Sequence, residues 1–121
     1  MNEEELRVLC AHPLFSLGLH TLTHPTLSKH SREVQYKELG DNKTYLECFT
    51  GQSVNTLAYP YGDFNKETLT VAQELQITGA FTTVEKSINC ESPLHQLGRC
   101  QVRNWDKFNF TMKISEWFSK A

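Results

Sequence analysis

The chain has 121 residues, enough for one domain with a buried core, and its 39% hydrophobic and 21% charged content is ordinary for a globular protein. Twelve Lys and Arg against fourteen Asp and Glu leave a formal net charge of −2, so there is no basic surplus for nucleic acid or an anionic membrane surface. Four cysteines, Cys10, Cys48, Cys90 and Cys100, form no Cys-x-x-Cys pair, which excludes a zinc ribbon.

The N-terminus, Met1-Asn-Glu-Glu-Glu5, is acidic with no apolar run behind it. It predicts neither a signal peptide nor a membrane span, and the chain as it stands reads as cytoplasmic. Asn2 is a candidate N-cap, the three glutamates complement a helix dipole, and Leu6, Leu9 and Cys10 follow at helical spacing. A short helix over residues 3–11, ended by Pro13, is expected. Cys10 and Cys48 both fall among apolar helix positions and are expected to be small buried hydrophobes. Residues 15–19 read as a first strand. Its Phe15, Leu17 and Leu19 would face the core, with Ser16, Gly18 and His20 on the other side and Gly18 leaving room there.

The stretch from Leu17 to Ser31, LGLHTLTHPTLSKHS, carries three of the five histidines. His20 and His24 lie four apart, a spacing that shares one face of a helical turn and lets two imidazoles meet one divalent metal. Two ligands fall short of the three or four that zinc uses, and the plain alternative is a pair of partly exposed histidines at a helix start. His12 is expected in a turn and His30 on a solvated helix.

Thr26 or Ser28 can cap the next helix, expected from about Ser31 to Phe49 with Val34, Leu39, Leu46 and Phe49 inward. Gly40-Asp41-Asn42 sits inside it, and Gly51 suits its C-terminal end. Asn42-Lys-Thr44 and Asn109-Phe-Thr111 match the glycosylation sequon and, without a secretory signal, are read as chance. A second strand over 54–59 runs into Pro60-Tyr-Gly-Asp63, a turn by composition. Asn65 is placed to cap a helix over 66–76 with Leu69, Ala72 and Leu75 inward. A third strand over 78–84, a polar loop over 85–96 and a short strand over 99–103 follow. The last helix starts at Asp106 or Asn109, with Ile114, Trp117 and Phe118 inward. Strands alternating with helices predict an α/β architecture with parallel strands. No Gly-rich phosphate loop and no Gly-x-Ser-x-Gly elbow is present.

The combination of His20-Thr-Leu-Thr-His24-Pro25 with Leu57-Ala-Tyr-Pro-Tyr-Gly62, then Gly79-Ala-Phe-Thr-Thr83 and Leu97-Gly-Arg99, resembles the polysaccharide deacetylases of the NodB-homology type, carbohydrate esterase family 4. The resemblance runs from about Glu5 to Trp105. It implies a partial (β/α) barrel, a single domain over 1–121 corresponding to the C-terminal part of such a barrel. It also implies a metal-dependent hydrolase that removes acetyl groups from N- or O-acetylated sugars and polysaccharides.

By that resemblance His20 and His24 match metal ligands, for zinc first and cobalt, nickel or manganese as alternatives. Thr21 matches the hydroxyl residue that buttresses the loop, and Arg99 a structural support paired with a carboxylate or carbonyl. Tyr59, Pro60, Tyr61 and Gly62 match the substrate groove, with Tyr59 and Tyr61 reading equally as strand-end aromatics that cover a core edge, and the backbone N–H of Tyr61 matches the oxyanion donor. His95, after Leu94, is the candidate general acid.

Three departures stand beside these matches. No Thr-Phe-Asp-Asp-Gly strand, source of the family's general base and third ligand, occurs in the chain, whose first residue falls after its expected place. Ala58 replaces the arginine that often precedes the Pro-Tyr-Gly turn. Asp41 and Asp106 are not placed near His20 by anything in the sequence, and Asp63 and Asn65 read as turn and cap residues. Trp105 and Trp117 are expected in a core or interface rather than as sugar platforms. A first strand without its neighbour predicts self-association or a partner covering its edge. The alternatives to an enzyme are a catalytically inactive carbohydrate- or partner-binding module and a plain α/β scaffold.

Overall fold

A computed structural model describes residues 2–119 and shows an α/β fold built around a short parallel ladder. Asn2 caps α1 (Glu3–Cys10), its side chain accepting from the Glu5 N–H while the Glu5 carboxylate accepts from the Asn2 N–H. The long helix α2 (Arg32–Thr50) starts at Ser31 and runs unbroken through Gly40-Asp41-Asn42 to Gly51, whose left-handed backbone closes it. Strand β1 (Thr56–Ala58) leads into the turn Pro60–Gly62, then α3 (Lys66–Glu74) capped by Asn65, strand β2 (Gly79–Phe81) and α4 (Lys107–Ser119). No helix among the described residues is long and apolar enough to cross a membrane.

β1 and β2 pair in parallel with Leu57 opposite Ala80. Leu19 extends the ladder on one side by bridging Leu57, and Leu97 extends it on the other by bridging Phe81. Leu19, Leu57 and Ala80 are buried with Leu27, Leu39, Val54, Tyr59, Val71, Ala72 and Ile77 in one cluster. Helices α2 and α3 cover it. Arg32 reaches both carboxylate oxygens of Glu74 at 2.6 Å, and the buried Gln35 amide accepts from the Thr68 hydroxyl and donates to the His30 carbonyl. A buried glutamine is tolerated there because its polar atoms are paired.

Several expectations are corrected by the fold. Among the described residues no strand spans 15–19. The Phe15 N–H donates to the His12 carbonyl across a turn, so it is not available to a ladder, and Phe15 is 53% exposed. Gly18 opens no space beside the site, since a Cβ there would sit 2.9 Å from the Thr56 hydroxyl; it permits close approach to β1 instead. Val34 is exposed and Gln35 takes its inward place; on α3, Thr68, Val71 and Ala72 are the buried residues while Leu69 and Leu75 lie half-buried. Cys48 is exposed and Cys10 half-buried. The strand expected over 99–103 is replaced by the Leu97 bridge, because the Arg99 N–H turns away to the Val84 carbonyl. Phe118 is 76% exposed, whereas Trp117 packs against Trp105 with ring centroids 5.9 Å apart.

The contrast between Leu39 and Phe118 is measurable by urea unfolding. Leu39→Ala is expected to cost about 2–5 kcal/mol through the cavity it leaves. Phe118→Ala is expected to change stability by no more than about 0.5 kcal/mol.

Candidate functional site

The ladder delivers the histidines. The Leu19 N–H donates to the Thr56 carbonyl at 2.7 Å and the Ala58 N–H to the Leu19 carbonyl at 2.9 Å. His20 therefore leaves the sheet level with the end of β1, at the carboxyl edge where open α/β sheets place their sites. There its ring Nδ1 lies 2.7 Å from the Ala58 carbonyl oxygen. A carbonyl only accepts, so Nδ1 is the donor in this bond, and in the neutral tautomer that makes it Nε2 carries the lone pair.

His24 meets His20 with ring centroids 4.8 Å apart, and the Tyr61 ring packs edge-on against His24 at 4.7 Å. Both imidazoles are exposed. The pair does not share a helical turn, as the spacing suggested. Residues 20–26 are irregular, and Thr21 and His24 hold left-handed backbone at φ 64° and 60°. Tyr61 does the same at φ 59°. Non-glycine residues adopt this conformation at a cost, and such positions cluster at functional sites. Of the four such residues among those described, three meet at this corner and the fourth, Gln76, follows α3.

Local hydrogen bonds hold the corner. Thr21 is buried and its hydroxyl accepts from the His24 N–H at 3.0 Å. The Glu38 carboxylate on α2 accepts from the N–H groups of Leu22 and Thr23 and from the Thr23 hydroxyl, at 3.0, 2.8 and 2.7 Å. Burial pushes the Glu38 carboxyl up, but these three donors and the nearby His30 together outweigh it and hold it below the ordinary carboxylate range. Asn42, one helical turn on, accepts from the His20 N–H at 3.1 Å. Gly62, at φ 71°, lets the turn pass beside Thr83; a Cβ at 62 would fall 2.2 Å from the Thr83 hydroxyl oxygen. Asp63 accepts from the Ser28 N–H and hydroxyl, which ties the turn to the segment after His24.

The remaining candidate residues separate by position alone. Tyr59 is fully buried, stacked on Phe64 with its hydroxyl donating to the His95 carbonyl, and burial pushes its phenol pKa up. Pro60 is also buried. Of the expected groove residues, Tyr61, 67% exposed, and Gly62, half-buried, reach solvent. The His95 Nε2 lies 2.7 Å from the Ile77 carbonyl, before β2 and so at the opposite end of the parallel ladder from His20. Arg99 donates from Nε to the Thr82 carbonyl, a carbonyl pairing as expected. Asp41 pairs with Lys37 and Asp106 caps α4. Glu38 drew no attention in the sequence and Asn42 only as a sequon residue; their four-residue spacing on one helix face is the signal that could have linked them to the site.

Two facing imidazoles are a pair that can offer two nitrogen donors to a divalent ion. Among the described residues no group of three His, Cys, Asp or Glu completes a site.

The profile of the family described as "Polysaccharide deacetylase" matches residues 1–80. YxkH of Bacillus subtilis (strain 168), a polysaccharide deacetylase by name, is 26% identical over 102 residues, covering 84% of this chain and 36% of its own. The structure of the Streptococcus pyogenes deacetylase PplD in complex with acetate is 33% identical, with TM-score 0.76 over 80% of this chain and 43% of that one. BC0361, a polysaccharide deacetylase from Bacillus cereus, is 25% identical and superposes with TM-score 0.83 over 94% of this chain and 36% of its own. BA3943 of Bacillus anthracis, a CE4 family pseudoenzyme, is 30% identical with TM-score 0.50 over 52% of this chain and 22% of its own. The chain thus spans between about a fifth and less than half the length of these relatives.

Glu38 binds its donors as a carboxylate and its pKa is lowered, so its contribution to stability is present above the unfolded-state value near 4.5 and disappears as pH falls through the folded value. Urea unfolding at stepped pH between about 5 and 3 is expected to show stability falling with pH. Glu38→Gln should flatten that slope.

Proposed function

Because the chain belongs to the polysaccharide deacetylase family, we propose that the His20–His24 corner is part of a metal-dependent centre that removes acetyl groups from N- or O-acetylated sugars or polysaccharides. The observation that carries this is the meeting of the two rings, 4.8 Å apart, at the carboxyl end of the ladder beside the Pro60–Gly62 turn. His20, through Nε2, and His24 would hold the ion, zinc first with cobalt, nickel or manganese as alternatives. When bound, the ion polarises the acetyl carbonyl and lowers the pKa of a bound water.

The chain's own groups do the rest. The His20 Nδ1–H bond to Ala58 fixes the ring's tautomer and direction, as outer partners of metal-bound histidines do. Tyr61 presents its ring to the open side of the pair as a groove wall. Its N–H meets no acceptor among the described residues, and in this reading it donates to the oxygen that gains charge during attack.

One observation favours a second reading. With no third ligand to complete a metal group among the described residues, the chain alone would act as a carbohydrate- or partner-binding module; activity then needs a carboxylate from a further segment or another polypeptide. A pseudoenzyme among the structural relatives fits this alternative.

The test is a cobalt or zinc titration of the chain followed by the imidazole NMR signals. Both His20 and His24 are expected to shift, and His20→Ala should abolish the shift of His24. Acetate release from an N-acetylglucosamine oligomer, lost in His20→Ala, establishes the deacetylase. Metal uptake without acetate at saturating zinc or cobalt selects the binding module, and no uptake ends the metal reading.

A further inference from the structure

The segment that carries the two histidines has almost no backbone support of its own. Four of the five N–H groups from His20 to His24 donate to side chains: His20 to Asn42, Leu22 and Thr23 to Glu38, and His24 to Thr21. Two of its residues sit in left-handed backbone. Such a conformation persists only when its surroundings over-determine it. Those surroundings are one face of α2, where Glu38 and Asn42 lie one turn apart.

We infer that Glu38 and Asn42 are positioning residues that set the separation of the His20 and His24 rings, an inference that rests on the proposed metal role of that pair. Glu38 is the principal one. Its single carboxylate receives two successive N–H groups and the Thr23 hydroxyl, so it fixes the peptide planes on the path between the two histidines. Asn42 fixes the near end of that path by receiving the His20 N–H, a group that points away from β1 because Leu19 uses the β1 side. The base of α2 is itself anchored to α3 through Gln35 with Thr68 and through Arg32 with Glu74. The helix therefore acts as a fixed arm, with its polar side chains standing in for a loop's missing ladder. Hydrogen bonds donated to a charged acceptor are the stronger kind, which places Glu38 above Asn42 in effect.

The experiment compares the 121-residue chain with Glu38→Ala, Glu38→Gln, Asn42→Ala and, as a control on the same helix, Lys37→Ala. Three quantities are read: cobalt affinity, amide exchange at His20, Leu22 and Thr23, and the nuclear Overhauser contact between the His20 and His24 rings. Glu38→Ala is expected to lower cobalt affinity about tenfold or more, the range seen for outer partners of metal ligands. It should also expose the Leu22 and Thr23 amides and weaken the ring contact, with helical content unchanged. Glu38→Gln keeps an acceptor oxygen and should recover part of the affinity. Asn42→Ala should have a smaller effect centred on the His20 amide, and Lys37→Ala should have none.

Cobalt affinity of folded Glu38→Ala within twofold of the parent, or an equal loss in Lys37→Ala, overturns the assignment. Should Glu38→Ala fail to fold, Glu38→Gln carries the same comparison. Should the parent chain bind no cobalt, the metal role falls; the ring contact and amide exchange still decide the positioning role, which fails if both are unchanged in the variants.

Discussion

Two hydrogen bonds, Leu19 N–H to Thr56 and Ala58 N–H to Leu19, bear the arrangement of this protein. They align a stretch with no strand of its own beside β1 and stop one residue short of His20. Because β1 itself stops at Ala58, the first imidazole finds the last free carbonyl of the strand and is oriented by it. The turn that follows β1 then brings Tyr61 against the second imidazole. The corner is thus a product of where the strands end as much as of which residues lie there.

What holds those ends in place is the apolar layer beneath. Leu19 and Leu57 are neighbours across the ladder and both are 1% exposed; Leu39 of α2 and Val71 and Ala72 of α3 close over them at 0%. Burial of this kind supplies most of a small domain's stability and is non-directional. Direction comes from the polar pairs at its rim: Gln35 with Thr68, Asp63 with Ser28, Glu38 with the histidine loop. The exposed histidines lie outside that layer, so substitutions there act on the site with little effect on the core.

Much of this was legible in the sequence. Asn2, Asn65 and Gly51 marked helix ends by chemistry that needs no tertiary partner, and the structure uses all three that way. The alternation of helix and strand, and the convergence of His20, His24 and the Pro60–Gly62 turn, also stand. Less legible was anything that depends on what faces what. Tyr59 sits next to groove residues in sequence but, one residue past β1, continues the inward alternation of Leu57, so its ring lies in the core. Phe15 has the spacing of a strand residue, yet a local turn with His12 claims its N–H. Gln35 lies inward because Thr68, from a distant helix, pairs with it, and no periodicity of apolar residues announces that. Glu38 and Asn42 were hidden for a related reason: apart from the Thr23 hydroxyl their partners are main-chain groups, so only their four-residue spacing on one helix face marks them.

The parallel ladder also governs when this corner can exist. Leu19, β1 and β2 are far apart along the chain, and parallel neighbours need long crossovers between them. Helices can form early from local contacts, but pairing of this sort closes large loops and comes late in folding. The imidazole pair depends on that ladder being closed. An ion that favours the pair would draw the folding equilibrium toward the native state by mass action, so that cation supply and chain maturation become one linked process.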